Sequence, residues 1–267
     1  MLSELERLAA MVQDPARVQE IGADEWPLAM IACGLVTSND PDRLQDNIDA
    51  YSIFVSRVAP EGRKGSLAQL VRFVTARKGD GWRALLPYAL AEPEPVLSRT
   101  AAMQIATLAQ PAPGTDDKLT GITELGKLLC TRPDVPASIL EVLLGLSDMR
   151  VLPVLEKLYD LPTERLEELI SSITPTGNHL SFSWVLGVLS AHPALAASVT
   201  ALLERMAAAT TAVIDLVLPI PTWAYAKPTP QPLHGWTPAE YFARMLPVLS
   251  RHLSPEQMNA LRSAFQA

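Results

Sequence analysis

Five segments of this chain place apolar residues at i, i+3, i+4 and i+7, and alternation of apolar with polar residues is almost absent. The sets are Leu67/Leu70/Val71/Val74, Ile139/Val142/Leu143/Leu146, Leu166/Leu169/Ile170/Ile173, Val199/Leu202/Leu203/Met206 and Phe242/Met245/Leu246/Leu249. Each set makes one apolar stripe along a helix of about three to four turns. Val213–Leu218 is the one serious strand candidate. It reads better as the continuation of a helix from Ala194 that Pro219 stops. The expectation is an all-α fold.

The 23 prolines agree with that expectation because of where they stand. Pro41, Pro95, Pro136, Pro162, Pro193, Pro238 and Pro255 fall at or near predicted helix starts, where no intrahelical N–H is lost. Thr237-Pro238-Ala239-Glu240 and Ser254-Pro255-Glu256-Gln257 read as capping boxes. Each offers a hydroxyl to the third amide of the helix and a Glu or Gln side chain reaching back to the cap.

The helices recur in pairs. First helices are predicted near Trp82, Asp117, Arg150 and Ser181, at intervals of 35, 33 and 31 residues, with partners near Pro95, Pro136, Pro162 and Pro193. A two-helix unit at such a period is the mark of an α-solenoid, in which each hairpin buries its stripe against its neighbours. Residues 42–58 with 66–78 make a further pair. The expected organisation is one domain over residues 1–267: an N-terminal cap at 1–37, helical hairpins over 42–218, an extended strap at 219–236 and a closing hairpin at 237–267.

Residues 82–110 carry a more specific pattern. A first helix bears Leu85, Leu86, Pro87 and Leu90, an acidic, proline-bearing turn runs from Glu92 to Pro95, and a second helix bears Val96, Arg99, Ala101, Ala102, Ile105 and Leu108. This unit resembles a HEAT repeat. Arg150–Asp160 echoes its first half, whereas Thr163–Ile173 lacks the small-residue pair of that family. The resemblance implies a right-handed stack of HEAT/armadillo type and names no activity.

Composition bounds the rest. At 267 residues and 48% hydrophobic content the chain can bury a large core without disulfides or metals. Cys33 and Cys130 lie in apolar stretches and form no CxxC, which excludes zinc ribbons and thioredoxin chemistry. Unpaired thiols, no signal-peptide pattern and no uninterrupted apolar run long enough for a membrane span lead to a cytoplasmic expectation.

The net charge of −7 is unevenly spread. Residues 1–56 hold 10 acids and 3 bases, whereas 57–83 hold 7 bases against Glu61 and Asp80. Between Ile170 and Ala239 the only formal charges are Glu204, Arg205, Asp215 and Lys227, so this region is either deeply packed or offers an apolar surface, including one for self-association.

Three groups of residues are candidate sites. Asp42, Asp46 and Asp49 share one face of the 42–58 helix and form an acidic patch; no facing ligand set supports a metal or general-base role there. Arg63, Lys64, Arg72, Arg77, Lys78 and Arg83 form a basic patch. Within it, Gly62-Arg63-Lys64-Gly65-Ser66 has the look of a phosphate loop, but a turn with a Ser cap explains it. The third group is the strap, with five prolines in residues 219–236 and the large side chains Trp223, Tyr225, His234 and Trp236. Such a segment takes an extended path, and Trp and Tyr are enriched in binding hot spots. His179, His192, His234 and His252 have no His or Cys at metal-ligand spacing, and HExxH is absent.

The functional expectation is non-catalytic protein binding, of adaptor, secretion-accessory or toxin-immunity type, without cofactor or metal. Two alternatives stand beside it. One is a HEAT-like nucleic-acid enzyme of DNA-glycosylase type, which the acidic balance of the chain disfavours. The other is a protein that binds an apolar small molecule or lipid through the charge-poor region.

Overall fold

Helix α2, Trp26–Asn39, carries no charged residue and no polar stripe, and its Trp26, Ala29, Met30, Ile31, Ala32 and Cys33 are all buried. The computed structural model describes residues 2–39, 43–76, 80–108, 120–146, 151–174, 179–209, 217 and 236–266, and every regular element among them is helical. The chain divides into two compact units, Met1–Val142 and Leu143–Ala267.

In the first unit, α1 (Leu2–Val12) packs on α2, followed by α3 (Leu44–Arg57) and α4 (Pro60–Ala76). A 3-10 helix at Asp80–Leu85 runs directly into α5 (Leu86–Ala91), which forms a hairpin with α6 (Pro95–Leu108). Next come α7 (Thr120–Thr131) and α8 (Ala137–Gly145), which runs across the division between the units. Helix α2 packs against α1, α3, α4 and the 3-10 helix, which makes it central to the packing of this unit. Its Trp26 stacks on Phe54 of α3, with ring centroids 4.5 Å apart and planes 3° from parallel.

The contact between α2 and the 3-10 helix depends on a glycine. A Cβ at Gly34 would lie 2.7 Å from the Ala84 backbone nitrogen and 2.9 Å from its Cβ. Only a bare α-carbon allows backbone to approach backbone this closely.

Helix α4 begins at Pro60, six residues ahead of the expected start, and it takes in the whole Gly62–Ser66 segment. Neither the turn nor the Ser cap exists. Two glycines each cost a helix about 1 kcal/mol relative to alanine, but tertiary contacts outweigh that cost here. The Ser66 hydroxyl is 2.6 Å from the Tyr88 hydroxyl, and Arg63 is locked into an ion pair described below.

The second unit repeats the scheme of one apolar helix among amphipathic ones. It opens with α9 (Leu152–Glu156) and a 3-10 turn at Lys157–Asp160, then α10 (Thr163–Ser172), α11 (His179–Ala191), a 3-10 turn at Pro193–Leu195, and α12 (Ala196–Ala209). Helices α13 (Pro238–His252) and α14 (Pro255–Gln266) form the last hairpin. Helix α11 is the apolar one: Leu180, Phe182, Trp184, Val185, Leu186 and Val188 are all buried. The Trp184 indole donates to the Leu155 carbonyl at 3.0 Å, tying α11 to α9.

Both expected capping boxes form. Glu240 N donates to the Thr237 hydroxyl at 3.3 Å, and Thr237 N donates to the Glu240 carboxylate at 2.8 Å. Ser254 and Gln257 exchange the equivalent bonds at 3.3 and 3.0 Å. The helix starts expected at Asp117 and Arg150, the segment Val213–Leu218 apart from Val217, and the strap before Trp236 lie outside the described residues. Among the described residues no helix is long and apolar enough to cross a membrane.

Candidate functional site

The site begins with a clamp between α4 and the turn ahead of α6. Arg63, only 5% exposed, donates from Nη2 to Glu92 Oε1 at 2.8 Å and from Nε to Oε2 at 2.9 Å. Its Nη1 donates to the Val58 carbonyl at 2.6 Å. The Tyr51 hydroxyl donates to Glu92 Oε2, and the Glu94 amide donates to Oε1 at 2.9 Å. A buried charge needs this many partners, because desolvation of an ion pair is recovered only when its remaining hydrogen-bonding positions are filled. Burial pushes the Glu92 carboxyl up, but the bonds from Arg63, Tyr51 and the Glu94 amide outweigh it and leave the group below the ordinary carboxylate range. Burial likewise raises the Tyr51 and Tyr88 phenols, so both stay protonated donors.

This clamp joins the first turn of α4 to the residues just before α6, so the two helices set out from the same end and run side by side in one sense. Between them lies a groove of about 560 Å³. Its apolar lining is Pro60, Leu67, Ala68, Val71, Val96 and Leu97, with Thr100 and Gln104 further along α6. Val96 is 64% exposed, an unusual degree for a β-branched apolar residue. Among the described residues, four charged ones edge the groove: Glu61, Lys64 and Arg72 from α4, and Glu94 ahead of α6. Among the described residues, Glu61, Lys64 and Arg72 make no ion pair within 4.0 Å.

The predicted basic patch is therefore divided. Lys64 and Arg72 are exposed on the groove, while Arg63 is spent inside the clamp. Arg83 is half-buried, its guanidinium 4.7 Å over the Trp82 ring and 3.5 Å from Glu124. Arg77 and Lys78 lie outside the described residues. A continuous phosphate-binding face needs several free cations, and two of these six are already committed to protein partners.

In the acidic group, Asp46 is exposed and 3.6 Å from Arg43, and Asp49 accepts from Gln45 at 2.7 Å. Asp42 lies outside the described residues. Among the described residues no group of three or more His, Cys, Asp and Glu side chains is placed to hold a metal. Burial pushes the Cys33 thiol up, far from the reactive thiolate range.

Of the strap residues, Trp223, Tyr225 and His234 lie outside the described residues and Trp236 lies within them. Trp236 is 6% exposed, edge-on to Tyr241 at 5.8 Å, with the Arg244 guanidinium 4.2 Å over its ring. It precedes the cap residue Thr237, and Tyr241 is the fourth residue of α13, so the pair is a hydrophobic staple. Trp236 is a core residue of the second unit. The sequence signal for that role was its place directly before a capping box.

The second unit holds a smaller cavity of about 340 Å³ lined by Glu156, Tyr159, Gly187, Ser190 and Ala191. Burial raises the Glu156 carboxyl, but among the described residues neither a histidine nor a second carboxylate lines this cavity to exchange a proton with it. His192 donates from Nε2 to the Tyr159 carbonyl at 2.6 Å and is a tie between α11 and the 157–160 turn. His252 and Arg251 both reach Glu204 of α12, at 2.9 and 2.6 Å.

No known protein family, curated protein or solved structure matches the chain.

Proposed function

We propose that the chain is a non-catalytic protein-interaction module built from HEAT/armadillo-type helical hairpins, and that the α4–α6 groove of its first unit receives the partner. The observation that carries this reading is the groove itself: an apolar floor, an exposed Val96 in its lining and uncommitted charges of both signs at its rim. A monomeric surface seldom presents an apolar patch edged by polar residues unless something docks on it. A mixed rim suits protein more than nucleic acid, because Glu61 and Glu94 would repel phosphates on the same edge that Lys64 and Arg72 attract them.

The test is affinity capture from the native cell extract with the full chain and with Val71→Asp/Val96→Asp. One stoichiometric protein held by the parent and lost by the variant, with helicity unchanged, is the expected result. Equal capture by both forms would remove the groove from the account, and salt-sensitive capture of nucleic acid alone would replace the reading.

A further inference from the structure

The chemistry of the groove also specifies its occupant. Glu61 and Glu94 stand at the end where α4 and α6 begin, and Lys64, one turn in, offsets only one of those two carboxylates. Arg72 stands toward the other end, eleven residues further along α4 and so about 16 Å away. The charged side chains of the rim therefore sum to negative at the entry and positive at the exit, with apolar surface between.

An extended peptide would find few partners here. Beyond their first turns the backbone groups of α4 and α6 are consumed within their own helices, and among the described residues Thr100 and Gln104 are the only uncharged polar side chains in the lining. A helix satisfies its own backbone and needs from the groove only apolar contact and matching charge at the rim. Orientation follows from the dipoles. A helix laid antiparallel to α4 and α6 sets its negative C-terminal end beside their positive N-terminal ends. In that orientation its last turn meets Glu61 and Glu94 and its first turn meets Arg72. Basic residues in the last turn and acidic residues in the first are also the arrangement that stabilises a helix before it binds.

Resting on the protein-binding reading above, we infer that the groove holds a helical segment of a protein partner, about three turns long, antiparallel to α4 and α6, with an acidic first turn, an apolar stripe and a basic last turn. The polarity of the charges distinguishes this occupant from a generic amphipathic helix.

The experiment is a selection on the full chain from helices displayed on a rigid scaffold, their apolar stripe constant and both end turns varied among Glu, Gln and Lys. The enriched helices should be acidic at the first turn and basic at the last. Reversing the two ends of an enriched helix should weaken binding about fivefold, the size of two rim ion pairs lost. The chain carrying Glu61→Lys, Glu94→Lys and Arg72→Glu should select the opposite order. Enriched helices without charge order, or with the reverse order, would overturn this inference and leave the groove reading standing, provided that Val96→Asp abolishes their binding. No enrichment, or enrichment indifferent to Val96→Asp, would overturn both.

Discussion

The Arg63 guanidinium closes on the Glu92 carboxylate through two nitrogens, at 2.8 and 2.9 Å, inside a shell completed by Val58, Tyr51 and the Glu94 amide. Nothing about this pair is superficial: the two side chains are 6% and 0% exposed. It fixes where α6 begins relative to α4, and so it sets the width and polarity of the groove between them. Arg63→Ala leaves Glu92 charged and buried without its counter-ion, which should cost about 3–5 kcal/mol in urea unfolding. Arg63→Lys should recover only part of this, because an ammonium cannot supply the forked geometry. Stability equal to the parent in both variants would contradict the clamp.

The same pair gives the first unit an acid sensitivity of definite sign. The Glu92 carboxyl is held below its ordinary range in the folded protein, so its stabilisation is complete above the unfolded-state value and is lost as the pH falls through the folded one. Thermal unfolding midpoints should therefore fall on acidification below the ordinary carboxylate range. Glu92→Gln should be less stable at neutral pH and should show a shallower acid limb. Parallel acid limbs for parent and variant would count against the assignment.

Gly34 offers a sharper test of packing. In Gly34→Ala the new Cβ meets the Ala84 nitrogen at 2.7 Å, and forcing the α2 contact apart should cost about 1–3 kcal/mol. Ala84→Gly in the same chain removes one clash but not the backbone one, so it should restore stability only in part. Full rescue would show that side-chain crowding alone was at issue.

Helices were legible in the sequence wherever one stripe faced a core. Leu166, Leu169 and Ile170 of α10 are buried as their spacing predicts, and both capping boxes form because each needs only local residues. Helix α4 starts earlier than its local sequence signals, because Gly62 and Gly65 favour a turn, whereas Glu92 and Tyr88, more than twenty residues away, decide the matter. Arg63 reads as surface charge in the sequence for the same reason: an ion pair 29 residues apart has no periodic signature. The groove was equally hidden. It depends on α4 and α6 lying side by side, and the sequence pattern places each on a stripe without saying which stripes meet.

The Trp236–Tyr241 staple predicts that removing either part of this helix start weakens the second unit. Thr237→Ala should cost about 1 kcal/mol and speed hydrogen exchange in the first turn of α13. Trp236→Ala should cost about 3–5 kcal/mol, the range for an aromatic removed from a core. A binding defect in Trp236→Ala would thus report lost packing. Trp223→Ala and Tyr225→Ala are the substitutions that address the strap as a binding element, and a Trp236→Ala chain as stable as the parent would remove that distinction.

Site-specific photo-crosslinking in the native cell reads directly whether a protein partner occupies the α4–α6 groove. A photoreactive residue at Thr100, within the groove, is compared with one at Gln69, exposed on α4 but outside the lining. The account predicts one discrete protein adduct from position 100 that Val96→Asp abolishes, and none of that mass from position 69. An adduct from position 69 alone, or no protein adduct from the groove while the chain crosslinks elsewhere, would contradict it.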